Sequence, residues 1–95
     1  MDFPINRFKH AILSGRKQIG LWSHLCSPIS IEILAHCGYD WLLLDMEHSP
    51  NEVPGVVGQL QAMQGGTATP IVRPPGNDMV NFKRLLDVGG QTLLV

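Results

Sequence analysis

Four chargeable side chains follow two apolar segments of the chain and could act on one substrate. Asp45, Glu47 and His48 come directly after an apolar run, and Arg73 ends a second apolar run. Histidine suits general acid–base work near neutral pH, and a neighbouring carboxylate can fix its tautomer and raise its basicity. The planar guanidinium of arginine binds a carboxylate or a developing oxyanion. Together these residue types indicate proton transfer on an anionic carbonyl compound.

Each of these residues also has an ordinary structural interpretation. An acidic residue at a strand end commonly caps a helix or lies in a solvated loop, and Arg73 alone could belong to a surface ion pair.

Trp22 is either part of the core or the wall of a pocket. Asp87 lies in the last turn of a predicted helix, where the macrodipole disfavours an anion, so we expect it to have a partner. The other histidines are expected to be exposed or to serve in packing: His10, His24 and His36.

Alternating helices and strands must position these side chains. Helices are predicted over residues 6–15, 27–38, 51–64 and 77–89, and strands over 18–22, 40–45, 70–74 and 91–95. Three of the helices begin with capping residues, Asn6, Ser27 and Asn77. The strand that ends at Asp45 is apolar without alternation, which is typical of a parallel strand covered by helices on both faces.

This order of elements predicts an α/β fold with a parallel sheet, because strands alternate with helices along the chain. Functional residues of such folds gather after the carboxyl ends of the strands, which is where the four chargeable residues fall. The last apolar strand, ending at residues 93–95, has nothing after it to cover it. We therefore interpret the chain as the first half of a (β/α)8 barrel, which needs about 250 residues. A complete small sheet of four strands is the alternative.

Composition and charge exclude several classes of function. The 95 residues are 44% hydrophobic and 16% charged, with a net charge of −1, so neither nucleic acid nor a membrane is an expected partner. No apolar run reaches the length of about 18 residues that a membrane helix needs, and the amino terminus lacks a signal-peptide pattern. Cys26 and Cys37 fit neither a disulfide framework nor a zinc-finger spacing. We expect a cytoplasmic chain of one domain at most.

Four segments of the chain occur in the same order in one enzyme family. They are Gln18-Ile19-Gly20-Leu21-Trp22, Gly38-Tyr39-Asp40-Trp41-Leu42-Leu43-Leu44-Asp45-Met46-Glu47-His48, Pro70-Ile71-Val72-Arg73-Pro74 and Lys83-Arg84-Leu85-Leu86-Asp87-Val88-Gly89. On these segments the chain resembles the HpcH/HpaI family of metal-dependent, class II pyruvate aldolases. The resemblance implies that residues 1–95 are the N-terminal part of a single (β/α)8 TIM barrel domain, cut after its fourth strand.

The resemblance also implies roles for individual residues. The histidine that matches His48 accepts the proton of the substrate's 4-hydroxyl, and the arginine that matches Arg73 stabilises the pyruvate enolate. The aspartate that matches Asp87 raises the basicity of that histidine. Asp45 would support the same histidine from the strand end, and Trp22 would line the pyruvate pocket.

The activity implied by the resemblance is that of a carbon–carbon lyase in the breakdown of aromatic compounds or sugar acids. It cleaves a 4-hydroxy-2-oxo acid, of the 4-hydroxy-2-oxoheptanedioate or 2-dehydro-3-deoxy-sugar-acid type, to pyruvate and an aldehyde. A divalent cation (Mg²⁺, Mn²⁺ or Co²⁺) is implied, with ligands beyond Val95 and only a supporting place for Glu47. The full-length protein is expected to be a homo-oligomer, a hexamer. The alternative is a truncated, non-catalytic fragment that lacks the metal-binding half.

Overall fold

A computed structural model describes residues 3–95 as helices that alternate with the strands of a parallel sheet. The helices are Arg7–Leu13 (α1), Pro28–Ala35 (α2), Val53–Ala62 (α3) and Met79–Asp87 (α4), and the strands are Gly20–Ser23 (β1), Trp41–Asp45 (β2) and Thr69–Arg73 (β3). This order is the predicted one up to α4. None of the helices in the described part of the chain is long and apolar enough to cross a membrane.

The three strands form one sheet in the order β1-β2-β3, and both pairings are parallel. In this register Trp22 lies opposite Leu43, and Asp45 lies opposite Arg73. All three strands therefore end at the same side of the sheet, which we call the carboxyl edge. The residues that follow the strands are brought together there.

The two faces of the sheet have different surroundings. One face, with Leu42, Leu44 and Val72, packs against α2, α3 and α4 and forms the core together with these buried residues: Ile31, Ala35, Met46, Val53, Val56, Leu60, Met63, Ala68 and Leu85. Because side chains alternate along a strand, the other face carries Leu43 and Asp45. On that second face, α1 and the strands border a groove of about 420 Å³, so we call it the groove face.

The predicted helix starts are confirmed for α1 and α2. Asn6 accepts a hydrogen bond from the backbone N–H of Lys9 at 3.0 Å, and Ser27 accepts one from Ser30 at 3.2 Å. The predicted cap of α4 is wrong by one residue. Asp78, directly before the first helical residue, accepts a hydrogen bond from the backbone N–H of Val80, and it has the extended conformation of an N-cap.

The predicted fourth strand over residues 91–95 is wrong in extent. Only Leu93 forms a bridge, parallel to Val72, although the direction is the predicted one. Val72 donates its N–H to Thr92 at 3.0 Å, and Leu94 donates its N–H to Val72 at 3.0 Å. Because only residues 92–94 lie beside β3, the pairing is too short to form a regular strand.

Candidate active site

The carboxyl edge collects side chains from the ends of all three strands. Asp45 and Arg73 are paired across β2 and β3, and Met46 donates its N–H to the Arg73 carbonyl at 2.9 Å. Glu47 and His48 follow in the loop after β2. The structure thus brings together the four chargeable residues that the strand pattern indicates.

Asp45 is the buried member of this group, with 1% of its side chain exposed. One oxygen, Oδ2, accepts a hydrogen bond from the indole N–H of Trp22 at 2.8 Å and lies 2.9 Å from Nε2 of His24. The other oxygen, Oδ1, accepts hydrogen bonds from the backbone N–H groups of Glu47 and His48, at 2.8 and 3.1 Å. Each carboxylate oxygen of Asp45 therefore has two nitrogen hydrogen-bond partners.

These contacts set the charge of Asp45. Burial on its own raises the pKa of the carboxyl, but hydrogen bonds from Trp22, from the backbone of His48 and Glu47, and from His24 outweigh it. The pKa of Asp45 is thereby held well below its ordinary value of 3.8. Because an ionised carboxylate can only accept hydrogen bonds, Nε2 of His24 must carry the proton that the two groups share.

Arg73 lies between two carboxylates. Its Nε donates to Oε2 of Glu47 at 3.0 Å, and its Nη1 is 3.9 Å from Oδ2 of Asp45. Its guanidinium carbon lies 5.6 Å from the centre of the Trp22 ring, which is a cation–π distance. Trp22 is thus neither buried core nor a free surface residue, because its indole links Asp45 to Arg73.

His48 is placed by its backbone more than by its ring. Its N–H binds Asp45, whereas Nε2 of the imidazole lies 3.2 Å from Oε1 of Glu47 and 63% of the side chain is exposed. Asp45 therefore supports the loop that carries His48 and does not contact the imidazole itself. A short aspartate at a strand end reaches the N–H groups of the next residues, as in an Asx turn, before it can reach a side chain three residues on.

Asp87 is not brought to this group within one chain. It is the last, exposed residue of α4, and α4 returns the chain from the carboxyl edge to the opposite edge of the sheet. The next residues, Val88 and Gly89, line a cavity of about 210 Å³ at that opposite edge, with Arg7 and Pro70. Among the described residues, no hydrogen bond or ion pair joins Asp87 to His48.

Sequence reasoning missed the contact made by His24. The side chain is 54% exposed, as an exposed histidine would be, yet its ring is bonded to a buried carboxylate. The signal was present in the pattern, because His24 follows directly after the end of β1, just as Glu47 and His48 follow β2. The same rule about strand ends would have selected it.

A buried amide pair that sequence reasoning also missed holds the loop after β2. Asn51 donates from Nδ2 to the carbonyl of Asp45 at 2.8 Å, and Gln59 donates from Nε2 to Oδ1 of Asn51 at 2.7 Å. The hydroxyl of Ser49 donates to the same Asp45 carbonyl. Gln59 is fully buried in α3, and its position on the apolar stripe of that helix was the available signal.

The described residues do not form a metal site by themselves. Within residues 3–95, no group of three or more His, Cys, Asp or Glu side chains could hold a metal ion. The carboxylates at the carboxyl edge already have partners, since Asp45 accepts from N–H donors and Glu47 binds Arg73. Any cation would need ligands from elsewhere.

Comparison with known proteins links this geometry to one family. Residues 18–95 match the model of the HpcH/HpaI aldolase/citrate lyase family. A 4-hydroxy-2-oxo-heptane-1,7-dioate aldolase of Klebsiella pneumoniae is 59% identical over 90 residues, which cover 95% of this chain and 34% of that protein. A hydroxypyruvate/pyruvate aldolase of Pseudomonas aeruginosa is 50% identical over 95 residues, which cover all of this chain and 35% of that protein.

A solved structure shows the same arrangement of elements. An HpcH/HpaI aldolase/citrate lyase family protein from Burkholderia cenocepacia superposes with a TM-score of 0.88 at 41% identity, over 94% of this chain and 36% of that one. The predicted fold class is thereby confirmed: the parallel α/β unit corresponds to part of a TIM barrel. The chain spans about a third of the length of the curated relatives it matches.

Proposed function

The chain belongs to the HpcH/HpaI aldolase/citrate lyase family, and on this premise we propose that it is the N-terminal part of a pyruvate aldolase. The enzyme would cleave a 4-hydroxy-2-oxo acid to pyruvate and an aldehyde. The names of the similar aldolases support this reaction class. The observation that carries the proposal is that Arg73 and His48 meet at the carboxyl edge, linked by both oxygens of Glu47.

Cleavage begins with loss of the proton on the substrate's 4-hydroxyl. His48 would accept it, because its imidazole is largely exposed at the edge and lies beside a carboxylate. The electron pair of the O–H bond then forms the aldehyde carbonyl, and the bond between C3 and C4 breaks. The pair from that bond enters the enolate of pyruvate, whose negative oxygen the guanidinium of Arg73 would stabilise.

Trp22 and Asp45 would hold the guanidinium of Arg73 in position to stabilise the enolate. The indole of Trp22 lies at cation–π distance from the guanidinium and is fixed by its hydrogen bond to Asp45. The buried carboxylate also fixes the backbone at Glu47 and His48. We therefore assign Trp22 to the wall of the pyruvate pocket and Asp45 to the positioning of Arg73 and of the His48 loop.

Asp87 would act on His48 from another copy of the chain. Asp87 lies at the edge of the sheet opposite to His48, so one chain cannot join the two residues without refolding. In a homo-oligomer, such as the hexamer that the family resemblance implies, Asp87 of one subunit can approach His48 of a neighbour. In this arrangement His48 would be the partner that Asp87 lacks within one chain, and Asp87 would raise the basicity of that histidine.

The divalent cation of the proposed enzyme, Mg²⁺, Mn²⁺ or Co²⁺, would be held by residues other than those described. The chain's own contribution is the proton acceptor, the guanidinium and their supports. Both cysteines, Cys26 and Cys37, are free thiols, which fits the proposed cytoplasmic location.

A hybrid enzyme tests the proposal. Residues 1–95 replace the matching N-terminal third of the Klebsiella pneumoniae aldolase, and release of pyruvate from 4-hydroxy-2-oxoheptanedioate is followed. We expect an active hybrid whose His48→Ala variant loses on the order of 10² to 10⁴ in kcat, because a general base is removed. His36→Ala, on the exposed end of α2, is the matched control and should cleave at the parental rate. A folded but inactive hybrid, or an unchanged His48→Ala variant, would contradict the proposal.

The alternative, a non-catalytic fragment, is favoured by the short coverage of the relatives and by the lack of a metal site within residues 3–95. Pyruvate release by the 95-residue chain alone tests this alternative. Pyruvate release by the chain alone that depends on added Mg²⁺ or Mn²⁺ would exclude the fragment hypothesis. Titration of the chain with Mn²⁺ should show only weak binding.

A further inference from the structure

Two carboxylate–histidine pairs flank Arg73, and the proposed cleavage uses only one of them. We infer that His24, paired with Asp45, is a second acid–base residue, which donates the proton that converts the pyruvate enolate to pyruvate at C3. The inference rests on the proposed function, because the enolate is the product of that cleavage. It concerns a different atom of the substrate from the one that His48 serves.

The position of His24 places it beside the group that would hold the enolate. Nε2 of His24 lies 2.9 Å from Oδ2 of Asp45, and Nη1 of Arg73 lies 3.9 Å from the same oxygen. Trp22 donates to this oxygen as well. An enolate bound by Arg73 would therefore lie close to the imidazole of His24.

The hydrogen bond to Asp45 also decides which ring nitrogen of His24 is available. Because Nε2–H is directed to the ionised carboxylate, the exchangeable lone pair of the neutral ring is on Nδ1. No hydrogen bond joins Nδ1 to another residue within residues 3–95, and 54% of the side chain is exposed. The carboxylate orients the ring and balances the charge of the imidazolium form, as in other carboxylate–histidine pairs.

The proton transfer balances without any further reactant. The imidazolium of His24 gives the proton on Nδ1 to C3, and the electron pair of that N–H bond remains on the nitrogen. The π pair of the enolate forms the new C–H bond, while an oxygen lone pair restores the carbonyl of pyruvate. His24 recovers a proton from water, and His48 returns to water the proton taken from the 4-hydroxyl. In the reverse direction, neutral His24 removes a proton from C3 of pyruvate.

Exchange of the C3 protons of pyruvate for deuterium isolates this step, because it needs no aldehyde. The experiment uses the hybrid enzyme in D₂O with its metal, and ¹H NMR follows the pyruvate methyl signal. In His24→Gln the side-chain amide can still donate to Asp45 but cannot carry the transferred proton. We expect exchange to fall by on the order of 10²-fold with little change in the KM for pyruvate. His10→Gln, an exposed histidine on α1, should exchange at the parental rate.

Two further measurements separate a chemical role from a structural one. The pH profile of exchange should lose the limb that belongs to His24, and added imidazole should restore part of the exchange in His24→Ala, since the site is open to solvent. Exchange at the parental rate and with the parental pH profile in His24→Gln would overturn the inference while hybrid cleavage stands. Slow exchange with an unchanged pH profile and no rescue by imidazole would also overturn it. A hybrid with neither cleavage nor exchange would contradict the proposed function, and the inference with it.

Discussion

The two carboxylate–histidine pairs on either side of Arg73 differ sharply in burial. In the Asp45–His24 pair the carboxylate is 1% exposed, and both of its oxygens are held by nitrogen atoms. In the Glu47–His48 pair the two side chains are 36% and 63% exposed, and within residues 3–95 the carboxylate of Glu47 pairs only with Arg73 and His48. In both pairs the carboxylate lies within 4 Å of the guanidinium of Arg73, but only the carboxylate of Asp45 is buried.

This difference separates a fixed part of the site from an adjustable part. Asp45 cannot move without breaking contacts to Trp22 and to the following loop, so we expect it to keep the same geometry when substrate binds. Glu47 can rotate into solvent at little cost, because exposed ion pairs contribute only about 0.2–1 kcal/mol. Arg73 can therefore leave Glu47 for an anionic substrate while it keeps its place over Trp22.

Removal of the buried charge of Asp45 should give the largest loss of stability. A small loss would contradict the comparison between the two pairs. Asp45→Asn leaves an N–H₂ group facing the N–H donors of Trp22 and His24, so we expect a loss of about 2 kcal/mol in the free energy of unfolding. Urea unfolding of the 95-residue chain, followed by tryptophan fluorescence, measures it. Glu47→Gln is the matched control and should change this free energy by at most about 0.5 kcal/mol. Equal effects of the two substitutions would show that burial does not distinguish the pairs.

Low pH should reduce the difference in the free energy of unfolding between the parental chain and Asp45→Asn, which we call the stability gap. The pKa of Asp45 is lowered in the folded state, so the unfolded chain takes up a proton first when the pH falls below about 4. The stability that Asp45 contributes is therefore present above that pH and declines below it. We expect the stability gap to shrink by about 1 kcal/mol between about pH 6 and about pH 3 in urea titrations. A constant stability gap over this range would mean that the carboxyl has its ordinary pKa.

Substitution in the exposed pair should give the smallest effect. It should strengthen the binding of an anion instead of weakening the protein. Glu47→Gln removes the carboxylate that competes for Arg73, so oxalate, a stable mimic of the pyruvate enolate, should bind the hybrid about 2- to 5-fold more tightly. Calorimetric titration with the metal present measures this affinity. Arg73→Lys, which loses the planar fork and the contact with Trp22, should bind oxalate more weakly. Weaker oxalate binding by Glu47→Gln would show that Glu47 helps to hold the anion.

The sequence predicted the features that follow local rules. Apolar runs and capping residues placed the helices and strands, and the carboxyl-edge rule brought Asp45, Glu47, His48 and Arg73 together. Asn6 and Ser27 cap their helices as expected. Helix capping depends on residues a few positions apart, and the strand-end rule applies to parallel sheets in general, so both kinds of feature can be predicted from one sequence.

Features that depend on packing between distant segments were missed. The contact of His24 with Asp45 joins residues 21 positions apart, and only the parallel register of β1 and β2 brings them together. The link from Gln59 through Asn51 to the Asp45 carbonyl is likewise set by how α3 lies on the sheet. Apolar periodicity records which face of α3 is buried but not which polar group that face meets.

The register of β2 against β3 also limits where the chain can change in length. Since side chains alternate, one residue inserted within Trp41–Asp45 would turn Asp45 toward the helices and Leu44 toward the groove face. Insertions are tolerated better in exposed turns, such as the one over residues 14–17 after α1. A peptide tag or a reporter sequence for this protein therefore belongs in that turn, and natural variants that differ in length should differ there as well.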